Sequence, residues 1–211
     1  MLTTAAAWSL LASFLVLQRV MRRGEEARSL QASAADRGST KLLGAAFLLG
    51  ALTLVAAPVL NAQGIAGASH GPVIGWIGVA VMVCGLALRL WSQAVLGRYY
   101  TSTLRHGEDQ PILASGPYRL LRHPGYAGLL LAWVGAGLAT ANWAVASAVA
   151  LLMVVAYSYR IAAEEAMLVG AFGGRYEGYM ARTWRLRGCP SRIASGLEGP
   201  VKPGAPGTLS P

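Results

Sequence analysis

The side chains of this chain that could do chemistry are concentrated in two stretches. Gly97–Tyr126 reads GRYYTSTLRHGEDQPILASGPYRLLRHPGY, and Arg160–Arg187 reads RIAAEEAMLVGAFGGRYEGYMARTWRLR. All eight tyrosines lie in or beside them. An aromatic belt with basic contacts to lipid headgroups would explain that composition, but not the order of the residues. In Arg122-His123-Pro124, proline is favoured at the first helical position, so Pro124 is expected to open a helix with His123 at or near its cap. Free N–H groups and the positive dipole end would then receive a carboxylate or phosphate. Ser115-Gly116-Pro117-Tyr118 just upstream is a turn signal that folds the loop back over that helix start. In the second stretch, Arg160 and Glu164 are four apart and share a helical face that Tyr157 continues. A surface ion pair of this kind contributes about 0.2–0.5 kcal/mol, but the acid is better placed N-terminal to the base, and here the order is reversed. Ionisable groups beside a long apolar run are costly, which makes a functional partner the default expectation.

The elements that must position these residues are apolar helices. Five uncharged stretches stand out, roughly Leu2–Gln18, Leu42–Leu60, Val73–Leu88, Gly125–Ala141 and Trp143–Tyr159. A helix needs on the order of 20 residues, and at least about 17, to cross the hydrocarbon core; the last three stretches are near that limit. Ala, Leu, Gly and Val dominate, β alternation is absent, and the charged outer faces of a soluble bundle are missing. The expected fold is therefore an all-α, polytopic membrane bundle of about five spans. Residues 1–187 are expected to form a single membrane-embedded domain, with two N-terminal spans in 1–60 and the two chemistry-bearing stretches within a second half, 73–187. Residues 188–211, rich in Gly, Pro and Ser, read as a flexible tail.

Composition and charge placement bound the function. Of 211 residues 55% are hydrophobic and only 13% charged, which argues against a disordered chain or an ordinary soluble enzyme. All 18 Lys and Arg residues, and all nine acids, fall in Arg19–Lys41, Arg89–Arg122 and Arg160 onward. By the positive-inside rule these segments are cytoplasmic, putting the N-terminus outside and the C-terminus inside. The first apolar run has no basic residue before it and does not read as a cleavable signal. A net charge of +9 distributed in this way points to membrane lipid, with no nucleic acid expected. Two cysteines, Cys84 and Cys189, make neither a disulfide framework nor a metal cluster, so no metal is expected. Gly135-Ala136-Gly137 resembles a fragment of a dinucleotide fingerprint, but it lies inside a span with no preceding strand. It reads better as a close helix-packing site.

Taken together, the two stretches carry a pattern: Gly116, Pro117, Tyr118, Arg122, His123, Pro124, Tyr126 and Gly128, then Arg160, Glu164, Glu165, Leu168, Phe172, Gly173, Tyr176 and Tyr179. This pattern resembles that of the isoprenylcysteine carboxyl methyltransferase family of integral membrane enzymes, over roughly residues 97–187. The resemblance implies methyl transfer from S-adenosyl-L-methionine to a lipophilic acceptor entering from the bilayer, with an isoprenylcysteine-type carboxylate as the family's substrate. It implies cofactor contacts at Gln110, Pro111, Ile112, Leu113, Tyr118, His123, Pro124, Gly125, Tyr126 and Glu164. Arg160 is the implied catalytic residue, facing the acceptor's carboxylate. Near the end the chain departs from the pattern, with extra residues in Arg185-Leu186-Arg187-Gly188-Cys189 before Pro190.

The chemistry of the residues is compatible with this. Glu164 or Glu165 suits an ammonium or ribose hydroxyls, the helix start suits a carboxylate, and Tyr118 and Tyr126 offer aromatic surface to an adenine or a sulfonium. A phospholipid amine or small thiol is an alternative acceptor; either must lose a proton, for which His123, Glu165 or a tyrosine is available. An NADPH-dependent membrane reductase and a non-catalytic scaffold are the readings from other classes. The excess of Arg over Lys and the abundance of Ala suggest a bacterial inner membrane, with the active site facing the cytoplasm.

Overall fold

A computed structural model describes residues 2–21, 38–97 and 114–185. Six helices follow in order: α1 (Leu2–Met21), α2 (Ser39–Ala62), α3 (Gly71–Leu96), α4 (Pro124–Ala139), α5 (Trp143–Phe172) and the short α6 (Gly174–Met180). A 3-10 turn, Gly116–Arg119, precedes α4. No strand occurs among the described residues, only isolated bridges pairing Gly67 with Asn142 and Leu121 with Trp184. The all-α expectation holds.

Helix ends follow local chemistry. Pro72 and Pro124 lie in the first turns of α3 and α4, where a missing N–H costs nothing. Asn142 caps α5 by accepting the Val145 N–H at 3.1 Å. Gly173, at φ +53°, ends α5 and opens α6 in a conformation that disfavours other side chains. The third helix is longer than its apolar run: Val73–Leu88 sits inside a 26-residue helix, because Arg89, Ser92 and Gln93 continue it past the apolar part. By length and composition α2, α3 and α5 can each cross a membrane, while α4 and the apolar part of α1 are shorter. At 1.5 Å per residue, α4 covers only about 24 Å.

The bundle is built on small residues. In α2 the buried positions are Ser39, Ala46, Gly50, Leu54 and Ala57, whereas Leu48, Leu49, Leu52, Val55 and Val59 point outward and are more than half exposed. Branched apolar side chains outside and small ones inside are what a lipid-facing helix requires, since lipid gives no reason to bury leucine. Helices α3 and α4 make the closest approach. Gly78 and Gly85 of α3 face Gly135 and Gly128 of α4, each pair seven residues apart along its helix. A Cβ on Gly85 would lie 2.5 Å from both the Ala132 nitrogen and the Gly128 oxygen, and one on Gly128 would lie 2.6 Å from the Gly85 oxygen. The packing expected at Gly135 and Gly137 is present, against Met82 and Gly78 for the first and Ala146 for the second.

Polar side chains tie the helices at both ends. At the end without formal charge, Asn142 donates to Asn61 Oδ1 and to the Ile65 carbonyl, both at 2.8 Å, and Asn61 donates to the Thr140 carbonyl at 2.8 Å. Thr3 of α1 donates to the Ala139 carbonyl at 2.7 Å. Toward the charged end, Gln18 of α1 and Gln93 of α3 exchange two buried amide hydrogen bonds of 2.5 and 2.8 Å.

Candidate active site

The start of α4 is where the two chemical stretches meet. His123 occupies the N-cap position with φ −125° and ψ 56°, and its own side chain makes no capping hydrogen bond. Its carbonyl accepts the N–H groups of Tyr126 and Ala127 at 3.1 and 3.0 Å. The imidazole is therefore available to reach across to α5, where Nε2 donates to Glu165 Oε1 at 3.2 Å. On its other edge, Nδ1 lies 3.9 Å from Glu164 Oε2. The ring thus stands between two successive carboxylates of one helix.

Those carboxylates differ in what they hold. Besides His123, Glu165 meets Arg122 Nη1 at 3.5 Å and Arg185 Nε at 2.8 Å, with 9% of its side chain exposed. It is the hub of an ionic cluster, buried except at Arg185, that joins α5, the approach to α4 and the segment after α6. Glu164 is 25% exposed, yet its Oε2 is buried without a hydrogen-bond partner among the described residues. A buried carboxylate oxygen in that state is a place where a donor is missing.

One turn before Glu164, Arg160 is buried, with 3% of its surface exposed. Its Nη1 donates to Ser39 Oγ at 2.8 Å and Thr40 Oγ1 at 2.9 Å, both at the start of α2. Its Nε donates to the Tyr126 hydroxyl at 3.2 Å. The Tyr126 ring packs against His123 at 5.8 Å between centroids and against Tyr157 at 5.6 Å.

A strap closes the cluster from the far side of α6. The Arg122 N–H donates to the Trp184 carbonyl at 2.7 Å, and the Trp184 N–H donates to the Leu120 carbonyl at 2.9 Å. Tyr179 of α6 donates its hydroxyl to the Tyr118 carbonyl at 2.7 Å. Burial pushes the Tyr179 hydroxyl up to about 12, against the pull of Arg122 and Thr183. Tyr176 is raised further, by burial and by the charges of Glu165 and Glu164. Both phenols stay protonated near neutral pH, so neither is a resting base.

The structure brings His123, Tyr126, Glu164 and Arg160 together. Pro124 is fully buried, and Gly125 lies under Arg89, whose Nη1 would be 2.5 Å from a Cβ there. Both shape the helix start. Tyr118 is half-buried, with its backbone tied to Tyr179, while the turn before it leans on α3, Gly116 lying against Val95 and Trp91. Gln110, Pro111, Ile112 and Leu113 lie outside the described residues. Sequence reasoning missed Ser39, Thr40 and Arg185, and did not separate Glu164 from Glu165. Ser39-Thr40 reads only as a helix start; nothing local links it to an arginine 121 positions away.

Comparison with known proteins supplies the context for this geometry. The family model described as the isoprenylcysteine carboxyl methyltransferase (ICMT) family matches residues 76–170. This segment is ICMT-like. A protein of Oryza sativa subsp. indica named probable protein-S-isoprenylcysteine O-methyltransferase is 35% identical over 108 residues, 50% of this chain and 56% of the relative. Protein-S-isoprenylcysteine O-methyltransferase B of Arabidopsis thaliana is 31% identical over 112 residues, 51% of this chain and 57% of the relative. The cobalt-zinc-cadmium resistance protein CzcN of Cupriavidus metallidurans is 33% identical over 99 residues, 47% of this chain and 41% of the relative. The chain therefore spans about half the length of the curated relatives it matches. A solved structure of the eukaryotic intramembrane Ras methyltransferase ICMT aligns with a TM-score of 0.54 over 75% of this chain and 54% of that one, at 21% identity. That likeness concerns the fold. With the apolar helices it identifies an integral, multi-pass membrane protein of ICMT-like architecture.

Proposed function

We propose that the protein is a membrane-embedded methyltransferase that moves a methyl group from S-adenosyl-L-methionine to a lipophilic acceptor, with an isoprenylcysteine-type carboxylate as the acceptor. The observation that carries this reading is the convergence of the α4 start, which the His123 side chain does not cap, with Glu164, whose Oε2 is buried and lacks a donor among the described residues. A helix start that favours anions beside an acid that favours cations suits an amino acid zwitterion. The ICMT-family match over residues 76–170 and the named relatives support it.

S-adenosyl-L-methionine, when bound, supplies a methyl group on a sulfonium that a nucleophile can displace. Glu164 would take the ammonium or the ribose hydroxyls, and the first turn of α4 the carboxylate. Tyr118 and Tyr126 would offer ring faces, and Pro124 and Gly125 would shape the floor by letting Arg89 and α3 approach. Gln110, Pro111, Ile112 and Leu113 are assigned to the same ligand by the resemblance. Arg160 would hold the acceptor's carboxylate while one oxygen stays free to attack. An acceptor carboxylate is ionised at neutral pH, so the chain need supply no base. That agrees with a site whose phenols are held protonated and whose histidine is tied to Glu165. Orientation and exclusion of water would provide most of the acceleration. We place this site on the cytoplasmic side of a bacterial inner membrane, from the distribution of Lys and Arg.

An acceptor screen tests the reading. Membranes containing the protein are incubated with radiolabelled S-adenosyl-L-methionine and prenylcysteine analogues, phospholipids or small thiols. Label in a base-labile ester of the prenylcysteine is expected. Label in the phospholipid or thiol alone would replace the acceptor. Tight binding of NADPH to purified protein that ignores S-adenosylhomocysteine would replace the reaction.

A further inference from the structure

The ICMT-family match begins at residue 76, so it leaves the first two helices without a part in the site. Yet Arg160 is gripped from α2. Ser39, fully buried, and Thr40 both accept from Nη1, at 2.8 and 2.9 Å, while Tyr126 of α4 accepts from Nε at 3.2 Å. Fixing two nitrogens of a planar guanidinium sets both its plane and the direction of the third. The oxygens that do this matter as well. Glu165 uses its carboxylate to hold Arg122 and Arg185, and so takes up part of their charge. Hydroxyl oxygens orient a guanidinium without themselves neutralising it.

We infer that Ser39 and Thr40 are positioning residues that set the acceptor-facing orientation of Arg160, making the start of α2 part of the acceptor side of the site. The inference rests on the methyltransferase reading, and it names the role of the N-terminal helices in it. Because the contact spans α2 and α5, a shift of α2 along α5 would turn the arginine and change how a carboxylate meets it. Glu164 of α5 and the start of α4 both lie outside α2, so replacing the α2 hydroxyls leaves the proposed cofactor contacts in place and the two effects are separable.

The test uses the full chain in detergent micelles, with an N-acylated S-farnesylcysteine bearing a free carboxylate as the acceptor probe. The variants are S39A/T40V, which removes both oxygens, and T40S with S39T, which keep them. In S39A/T40V, kcat/KM for the acceptor is expected to fall at least tenfold through KM, while the Kd for S-adenosylhomocysteine stays within twofold. The oxygen-retaining pair should recover activity to within about threefold of the parent. An unchanged acceptor KM in S39A/T40V overturns the proposal. So does an equal loss in the oxygen-retaining pair, which would mean packing alone, or a cofactor Kd that worsens in step. If S39A/T40V does not accumulate as folded protein, T40V at its half-buried position is read by the same criteria. S-adenosylhomocysteine binding by the parent, together with acceptor kinetics unchanged in S39A/T40V, refutes this inference alone. Parent protein that neither binds it nor methylates the probe removes the methyltransferase reading and the inference with it.

Discussion

At Glu164 and Glu165, neighbours of the same type do different work because their surroundings differ. Glu164 has a buried oxygen awaiting a donor, whereas Glu165 is surrounded by His123, Arg122 and Arg185. Glu164→Gln should weaken S-adenosylhomocysteine binding by about 10- to 100-fold, since a hydrogen bond to a charged group contributes ~1.5–3 kcal/mol. Arg160→Ala should instead damage turnover or acceptor affinity and leave that Kd nearly intact. Calorimetric titration beside steady-state kinetics separates them, and equal cofactor loss in both would mean the roles are misassigned. Glu165→Gln leaves two arginines and a histidine facing an amide. It should lower stability by about 3 kcal/mol, the scale of breaking a buried ion pair, as read from thermal unfolding in detergent. Tyr179 makes a pH prediction. Its hydroxyl ionises near 12 when folded against an ordinary 10.0, so the folded state retains a proton that the unfolded chain releases. The stabilisation is complete below pH 10 and is lost as pH rises from 10 toward 12. Tyr179→Phe should flatten that alkaline decline in a pH series of melting curves.

At the level of elements, α3 and α4 determine whether His123 can reach α5 at all. Their backbones touch through Gly78, Gly85, Gly128 and Gly135, so any side chain there must push the pair apart. Gly85→Ala or Gly128→Ala should lower the melting temperature by several degrees and weaken S-adenosylhomocysteine binding together, because α4 carries the helix start. Gly170→Ala in α5 is the control: no atom lies within 4 Å of its Cβ, and alanine is the better helix former. A thermal-shift series across these variants checks the contrast. The small-residue character of this pair was legible in the sequence as Gly135-Ala136-Gly137. Its partner helix and register were not, because a glycine states only that something comes close.

Across the whole molecule, the two ends of the bundle are chemically unlike. One end closes on the neutral Asn61–Asn142 knot, the other on an ionic cluster with the site beneath it. This asymmetry predicts orientation. A single cysteine at Ala66, in a background lacking Cys84 and Cys189, should react with an impermeant maleimide in intact cells. One at Arg119 should react only after the membrane is opened. The reverse labelling pattern would place the site on the outer face.

The sequence by itself determined the helices, their approximate spans and the two stretches that carry chemistry. Apolar runs, prolines at helix starts and charge placement act locally, within a few residues, and need no partner to be read. Five apolar helices were legible in this way, three of them long enough to cross a membrane, although the polar continuation of α3 through Arg89 and Gln93 was underestimated. Tertiary structure alone decided that Ser39 and Thr40 hold Arg160, that Glu165 serves as the clamp, and that Glu164 keeps a buried oxygen without a hydrogen-bond donor among the described residues. These are contacts across 121 positions for Ser39 and 42 for His123 with Glu165. A hydroxyl or a carboxylate has no local signature of its distant partner. Only the packing of α2, α4 and α5 against one another brings their oxygens and nitrogens within bonding distance.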